Sequence, residues 1–333
     1  MKLLHFLTTV ILISGISSCK EKPSGALIYI SVTKPFEFES NGLQKPADLN
    51  VWIKEYGSKE KTLIAKLSQG AMDPCFSSDG KLLVFSSNTK WPGAIYTVPT
   101  SGGRPDQLSD GETSVASPAL SPNNKNIVYS GWDQEEKWNL HLMKFDGSRH
   151  IKLTDSDAIE SFPTWFLHGA KIFFHKKEKD NSWHIYSVEP DGDNLTQLTQ
   201  GSAMDWLPCA SPDGKHIAFW STRNSGNWEI FLMDIDGHNV RQISDGTGVW
   251  SVGSNVCQVA WTPDSQRIIF CAPGENMTSR IMELEVSTGK YRELSDKDEK
   301  YCYSPVWINS KAKDELMKNG VLTVTPTSAS IAK

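Results

Sequence analysis

A segment of about 45 residues recurs along the chain, and this repeat constrains the fold more than any other feature. Its best-preserved copy is SPDGKHIAFWSTRNSGNWEIFLMDIDG at residues 211–237. Related segments open five copies, namely SSDGKLLVFSS (77–87), SPNNKNIVYSG (121–131), FLHGAKIFFHK (166–176), SPDGKHIAFWS (211–221) and TPDSQRIIFCA (262–272). Their starts lie 44, 45, 45 and 51 residues apart. A regular spacing of this kind indicates one structural unit used several times.

Two further columns stay in register with the first in every copy. The second column consists of AIYTVPTSGG (94–103), NLHLMKFDG (139–147), HIYSVEPDG (184–192), EIFLMDIDG (229–237) and RIMELEVSTG (280–289). The third consists of DQLS (106–109), IKLT (151–154), TQLT (196–199), RQIS (241–244) and RELS (292–295). In the best-preserved copy, the predicted strands a to d are, in order, Pro208–Ser211, KHIAFW, EIFLMDI and VRQIS. Turns rich in Gly and Asp separate these strands. Four-stranded units at this spacing are typical of the blades of a β-propeller.

The two ends of the repeat region complete the count of blades. ALIYIS (26–31) matches strand b without a preceding strand a, and NVWIKEYG (50–57) follows as strand c. SPVW (304–307) matches strand a without a following strand b. We therefore predict an all-β, six-bladed propeller of four-stranded antiparallel blades over residues 25–309, with one blade shared between the N- and C-terminal strands. Such closure removes the exposed sheet edges that invite aggregation.

The combination of SPDGKHIAF, EIFLMDIDG and RQIS resembles the TolB-type, WD-like β-propeller repeat, and the resemblance covers residues 25–309. It implies the fold but not a function, because many unrelated activities use this scaffold. TolB proteins are periplasmic, bind the peptidoglycan-associated lipoprotein and carry an α/β domain before the propeller. We expect this chain to lack that domain, which puts the TolB partner in doubt. Propeller-bearing peptidases add a hydrolase domain with a GxSxG motif that does not occur in this sequence, whereas oligogalacturonate lyases combine a related propeller with a His-rich metal site.

The N-terminal residues predict export and a lipid anchor. Lys2 is followed by an apolar stretch that is too short for a confident membrane span and is typical of a signal peptide, residues 1–18. The sequence ISSC then resembles a bacterial lipobox, which implies lipidation of Cys19 and a tether over residues 19–24. We expect a monomer in the cell envelope, anchored by lipid to the outer membrane and facing either the periplasm or the surface. Residues 310–333 are small and polar, and their composition predicts a flexible tail.

Charge and cysteine content exclude several classes of function. The net charge of −5 argues against a nucleic-acid partner. Five cysteines besides Cys19 are widely spread and form no CxxC pair, so they predict neither a zinc site nor a disulfide framework. Which pair, if any, is oxidised is left open by the sequence.

Several polar residues that look catalytic are better explained by the repeat. Asp213 recurs as Asp or Asn in the a–b turns of other copies, and Asp236 recurs in the c–d turns, where such residues accept local backbone hydrogen bonds. A catalytic triad of Asp213, His216 and Ser221 is disfavoured because the first and last belong to opposite ends of strand b. The Asp-x-Asp groups lack the further ligands of a calcium loop, and the histidines share no metal-ligand spacing. We therefore expect no metal and no cofactor.

The candidate binding residues are those that the repeat does not require. In a blade, the a–b and c–d turns share one face, here called the turn face, and the b–c and d–a connections share the other, the loop face. Both large departures from the repeat, Val32–Leu49 and Asp245–Gln258, belong to the loop face. Acidic and aromatic residues predicted at the channel mouth and on this face are Asp73, Glu160, Asp205, Trp206, Trp250 and Trp132. The alternative is that the acids cap turns and the Trp rings wedge between blades.

These observations favour a non-catalytic binding or scaffold propeller for an envelope protein, peptide or glycan. The alternative is an envelope enzyme acting on polysaccharide, similar to oligogalacturonate lyases, with a metal in the propeller channel.

Overall fold

The strands pair in six sheets whose order follows the repeat, and all pairs are antiparallel except one strand added at the edge of one sheet. The computed structural model describes residues 25–32, 49–67, 71–87, 92–109, 113–132, 137–166, 169–244, 259–273, 279–295, 302–308, 310–318 and 322–324. The signal peptide, Cys19 and Trp250 lie outside these described residues. The sheets are the blades of a six-bladed β-propeller, so the predicted fold class is confirmed.

One blade contains both ends of the repeat region and is called the composite blade. Its strands are β1 (Ala26–Val32), β2 (Leu49–Glu55), β3 (Lys61–Leu67), β24 (Cys302–Ile308) and β25 (Leu322–Val324). Strand β24 pairs antiparallel with β1, with Ile28 opposite Val306. This pairing closes the ring by the route that the two partial repeats predict.

The other blades are numbered 1 to 5 along the chain, each with strands a to d in order. Blade 1 has β4 (Ala71–Phe76), β5 (Leu82–Ser87), β6 (Ala94–Pro99) and β7 (Asp106–Gln107). Blade 2 has β8 (Ser114–Leu120), β9 (Asn126–Trp132), β10 (Trp138–Lys144) and β11 (Ile151–Lys152). Blade 3 has β12 (Glu160–Trp165), β13 (Ile172–Lys177), β14 (Trp183–Val188) and β15 (Thr196–Gln197). Blade 4 has β16 (Asp205–Ala210), β17 (His216–Ser221), β18 (Glu229–Asp234) and β19 (Arg241–Gln242). Blade 5 has β20 (Ala260–Trp261), β21 (Arg267–Pro273), β22 (Ser279–Glu285) and β23 (Tyr291–Glu293).

The core lies between adjacent blades, and strand b explains why. In β17, Phe219 packs with Phe173 of blade 3, whereas Trp220 packs with Ile268 and Phe270 of blade 5. Successive side chains of a strand point to opposite faces, so a strand covered on both faces needs an unbroken apolar run. The sequence IAFW meets this requirement, and Phe219 and Trp220 are both fully buried.

Each inner strand a of blades 1 to 4 contains a β-bulge at the residue before a proline. Register shifts occur at these positions, and the backbone φ angles are 47° at Asp73, 50° at Ser117, 52° at Phe162 and 54° at Leu207. A bulge leaves one residue without a ladder partner and bends the strand. The bulge residue's N–H must therefore find a partner elsewhere, and two of these partners are described below.

The residues after the last repeat are ordered in part, in contrast to the flexible tail that composition predicts. Ser310–Lys318 forms helix α1, and β25 adds a parallel strand beside β3. The physical reason is that Ala312 and Leu316, one helical turn apart, are buried in the same core cluster as Leu67. No helix among the described residues is long and apolar enough to cross a bilayer.

Candidate functional site

The predicted site residues of the described chain lie inside strands rather than ahead of them. Glu160 and Asp205 are the first residues of β12 and β16, Trp206 is the second residue of β16, and Trp132 is the last of β9. Asp73 is the third residue of β4, at the bulge position shared with Phe162 and Leu207. Asp73 is therefore not the equivalent of Glu160 and Asp205, because its place in the repeat is two residues further along.

Asp205 is fully buried in an ion pair. Arg223 Nη2 lies 2.8 Å from both carboxylate oxygens, and Arg223 Nε donates to Ser221 Oγ at 3.0 Å. The guanidinium also covers the rings of Phe219 and Phe231. Hydrogen bonds between charged groups of this kind are shorter and stronger than those between neutral groups. The carboxylate has no surface to offer a ligand, and its role is structural.

Glu160 is also fully buried and bound by its own loop. It accepts hydrogen bonds from Thr154 Oγ1 and from Ser156 Oγ, the latter at 2.8 Å, and Lys176 Nζ lies 3.5 Å from Oε1. The carboxylate thereby fixes the d–a connection that leads into blade 3. This arrangement agrees with the alternative interpretation that acids at this face cap turns.

Asp73 ties the inner strands of blades 1 and 2 together. Its Oδ2 accepts from the bulge N–H of Ser117 at 2.9 Å and from the hydroxyls of Ser86 and Ser117 at 3.4 Å. Burial raises the pKa of Asp73, and these hydrogen bonds offset part of the rise. The carboxyl group thus supplies an acceptor to a backbone N–H that the bulge leaves unpaired.

His175, which the sequence does not single out, has the equivalent role between blades 3 and 4. Its Nδ1 lies 3.1 Å from the bulge N–H of Leu207, and its Nε2 lies 2.7 Å from Ser161 Oγ. Burial lowers the pKa of His175 to about 3, so the ring is neutral, with Nδ1 accepting and Nε2 donating. The available signal was a histidine in an otherwise apolar strand b, IFFH, which also suits an incidental core residue.

Trp206 lies in an aromatic cluster on the loop face. Its ring centroid is 4.6 Å from that of Trp228, 5.5 Å from Trp183 and 5.7 Å from His175. Trp132 lies one junction away, where it stacks on Trp138 across the strand pair at 6.4 Å. Both predicted Trp residues are partly buried, so each has a fixed ring with one part open to solvent.

Exposed apolar side chains lie near the Trp206 cluster. Ile159, Phe162 and Met204 are 38%, 38% and 41% exposed. The ring of Phe162 lies 5.4 Å from His175, Met204 forms a β-bridge with Trp183, and the carbonyl of Ile159 accepts from the N–H of Lys177, the strand partner of Trp183. We call Ile159, Phe162, Trp183, Met204 and Trp206 the loop-face patch. Groups of exposed apolar side chains mark binding sites in soluble proteins.

The polar residues of the repeat have the structural roles that the sequence predicts. Asp213 Oδ1 accepts from Ser211 Oγ at 2.6 Å and from the N–H of Lys215 at 3.1 Å, and Asp236 accepts from the N–H of His238. Ser221 holds Arg223 at the other end of strand b. Among the residues that the structure describes, no three His, Cys, Asp or Glu side chains are grouped as metal ligands.

Three cysteines have defined states. Cys75 and Cys209 are free, and burial raises the pKa of each thiol to about 12, which keeps both unreactive. Cys271 is disulfide-bonded and buried against Leu27 and Tyr29 of the composite blade. The fold therefore contains at least one oxidised cysteine.

Comparison with known proteins shows which domain and which solved structures the chain is similar to. Residues 163–309 match the TolB β-propeller domain. TolB from Acinetobacter baumannii superposes with a TM-score of 0.67 at 16% identity, over 86% of this chain and 67% of that one. A putative TolB from Agrobacterium tumefaciens gives 0.62 at 18% identity, over 86% and 99%. An oligogalacturonate lyase in complex with manganese gives 0.54 at 10% identity, over 83% and 87%. No curated protein matches the sequence.

At these identities the solved structures show a shared fold alone, and the domain match supplies the sequence signature. Residues 163–309 match the TolB β-propeller domain, and the chain has a fold similar to that of TolB propellers.

Proposed function

We propose that this protein is a non-catalytic binding propeller of the cell envelope that captures a protein or peptide partner on its loop face. The observation that supports the proposal is the loop-face patch. Among the described residues, six large apolar side chains are exposed, and three of them, Ile159, Phe162 and Met204, lie in this patch.

The patch combines exposed anchors with a rigid base. Trp206 is held between Trp183 and Trp228. The imidazole of His175, which contacts Trp206, is itself fixed by hydrogen bonds to Ser161 and Leu207. Aromatic anchors that are already immobilised lose little entropy on binding, and such residues carry much of the energy of protein interfaces.

Two features support the envelope location. The lipobox-like ISSC sequence implies export and anchoring at Cys19. The disulfide at Cys271 is typical of a protein that folds in an oxidising compartment, because thiols in the cytosol are kept reduced. The alternative of a polysaccharide-active enzyme has no comparable support among the described side chains.

The proposal is tested by capturing partners in the native envelope by crosslinking and identifying them by mass spectrometry. We expect the double variant Phe162→Ala with Met204→Ala to reduce capture at least about tenfold, which corresponds to about 1.4 kcal/mol. Leu195→Ala with Met317→Ala is the matched control, since both residues are 49% exposed and lie outside the patch. Equal capture by the two double variants, with both folded, would contradict the loop-face assignment.

A further inference from the structure

The chain enters the propeller at the turn face of the composite blade. A methyl group on Gly25 would lie 2.4 Å from the carbonyl oxygen of Ile308. The carbonyl of Gly25 accepts from the N–H of Tyr56, in the c–d turn, at 3.3 Å. Because Cys19 precedes Gly25 by six residues, a lipid anchor at Cys19 lies at most about 20 Å from this entry point. The surface around Gly25 is therefore held within that distance of the membrane.

The loop face lies too far from the entry point to rest on the same membrane. Strand β1 begins at the turn face with Ala26, and its seven residues cross the blade to Val32 at the loop face. At the usual rise per residue, this height is about 23 Å. A tether of about 20 Å, even when fully extended, cannot cover that height with Cys19 at the bilayer surface. The side of the molecule that faces the membrane is therefore the turn face around Gly25.

Helix α1 begins beside the entry point. Ile308, which contacts Gly25, precedes the first residue of α1 by two residues. Lys313 Nζ lies 3.1 Å from Glu55 Oε1, and Glu55 is the strand partner of Ala26. The helix also packs over the a–b turn of blade 1. These contacts place α1 on the turn face, next to the point at which the tether joins the fold.

The side chains of α1 divide into a buried face and an exposed face. Ala312 and Leu316 pack in the core, whereas the exposed residues follow spacings of three and four and share the opposite face. The exposed residues are Ser310, Lys311, Asp314, Met317 and Lys318. Met317 is 49% exposed, which is matched only by Leu195 among the large apolar side chains that the structure describes. An exposed apolar side chain beside lysines suits the headgroup region of a bilayer, where the apolar group enters the acyl boundary and the ammonium groups stay at the phosphates.

The charge of this exposed face is opposite in sign to that of the whole chain. Two lysines and one aspartate give the face a net charge of +1, whereas the full chain carries −5. Anionic phospholipids give a membrane a negative surface potential, which attracts lysines close to the surface and repels acidic surfaces. The exposed face of α1 is therefore a surface on which an acidic propeller can approach such a membrane.

We propose that the exposed face of α1 contacts the headgroup layer of the membrane in which Cys19 is anchored. Met317 enters the acyl boundary, and Lys311 and Lys318 lie at the phosphates. This orientation turns the loop-face patch away from the membrane and presents it to partners in the aqueous phase. The proposal rests on the lipid anchor of the proposed envelope function and adds the surface that contacts the bilayer.

The test is hydroxyl-radical footprinting of the mature lipidated chain in vesicles of phosphatidylethanolamine and phosphatidylglycerol, with mass spectrometry as the readout. Met317 and Met204 are a matched pair, because they are 49% and 41% exposed and lie on opposite faces of the propeller. The reference is the Cys19→Ser chain in solution. We expect vesicle anchoring to lower the oxidation of Met317 at least about threefold and to leave that of Met204 unchanged, since a side chain at the acyl boundary is shielded from radicals in water.

A pair of charge variants tests the contribution of the lysines. Lys311→Glu with Lys318→Glu changes the charge of the exposed face from +1 to −3, because each substitution removes one positive charge and adds one negative charge. We expect this variant to sediment with the vesicles through Cys19 but to regain the oxidation of Met317. The matched control is Lys177→Glu with Lys179→Glu, which makes the same change of charge at the loop-face end of blade 3 and should leave Met317 protected.

Three outcomes would overturn the proposal. Protection of Met204 in place of Met317 would put the loop face on the membrane. Oxidation of both methionines at their solution rates, in a chain that sediments with the vesicles, would show that the propeller hangs free of the bilayer, while capture of partners at the loop-face patch would still stand. A full chain that does not sediment with the vesicles would lack the anchor, which would remove the lipid-anchored location as well.

Discussion

Acidic side chains near the channel serve the scaffold in this propeller, although in sequence they resemble a binding site. Glu160 and Asp205 are fully buried with their own partners, and Asp73 accepts the bulge N–H of Ser117. Each of these buried carboxyl groups has a cation or a hydrogen-bond donor beside it, which compensates for the loss of contact with water. What distinguishes Asp73 is that its partners are all neutral, so burial raises its pKa without a compensating cation.

This difference predicts opposite effects for two substitutions of Asp73. Asp73→Asn keeps an acceptor for the Ser117 N–H and removes the buried charge. We therefore expect its free energy of unfolding at pH 7 to equal that of the wild type or to exceed it by up to about 1 kcal/mol. Asp73→Ala leaves that N–H unpaired and should cost about 1–3 kcal/mol. Urea unfolding of the three proteins measures both effects.

The effect of Asp73→Asn should also depend on pH. Because the folded-state pKa of Asp73 is raised, its contribution to stability is fully present below the unfolded-state value, near 4, and is lost as the pH rises through the folded value. The advantage of Asp73→Asn should therefore be small at pH 4 and should grow towards pH 7. A difference that does not change with pH would contradict burial as the cause.

The sequence predicts residue roles well where the repeat supplies comparisons. Asp213 and Asp236 are recognisable as turn residues because other copies have similar residues at the same positions. The burial of Asp205 could not be predicted, because Arg223, which binds it, and Ser221, which holds Arg223, are separated from it in sequence and meet it only across a strand pair.

At the level of elements, helix α1 shows how a short segment can be ordered by its contacts alone. Only Ala312 and Leu316 of its nine residues are buried, which is too weak a pattern to predict a helix from sequence. The helix packs over the a–b turn of blade 1, where a methyl group on Gly80 would lie 2.7 Å from the carbonyl oxygen of Ala312. The strands, in contrast, repeat five times and were predictable from their period.

Replacing Gly80 therefore tests the docking of α1. Gly80 and Gly226 have nearly the same φ, +72° and +74°, but a methyl group on Gly226 would meet nothing within 4 Å. We expect Gly226→Ala to cost about 1 kcal/mol through backbone strain alone. Gly80→Ala should cost about 1–3 kcal/mol more, because the helix must shift and its buried residues become exposed.

Thermal unfolding measures the stability difference between Gly80→Ala and Gly226→Ala, and amide hydrogen exchange over residues 310–318 reports on the helix. We expect faster exchange there in Gly80→Ala only. Equal losses of stability and unchanged exchange would show that the turn and the helix are not coupled.

At the level of the whole molecule, the number of blades could be counted from the sequence, but the packing of the shared blade against blade 5 could not be predicted. The two partial repeats at the chain ends predict that a blade is shared, and β1 and β24 confirm it. The partial repeats contain no information on how tightly the shared blade packs against blade 5. At its junction with blade 5, a methyl group on Gly57 would meet nothing within 4 Å, Lys54 Nζ donates to the carbonyl of Leu294, and Trp307 Nε1 is buried without a hydrogen-bond partner.

The location of the whole molecule leads to the last prediction, which combines Cys19 and Cys271. In a Gram-negative host we expect the full chain in the membrane fraction with Cys271 oxidised. Cys19→Ser should be exported and soluble, with Cys271 still oxidised, because only the anchor is lost. A variant without residues 2–24 should remain in the cytoplasm with Cys271 reduced, and loss of the disulfide should lower its stability by about 2–4 kcal/mol.

Membrane fractionation, followed by alkylation of denatured samples and mass spectrometry, distinguishes these states. Membrane-bound Cys19→Ser would contradict the lipid anchor, and an alkylated Cys271 in the exported protein would contradict folding in an oxidising compartment.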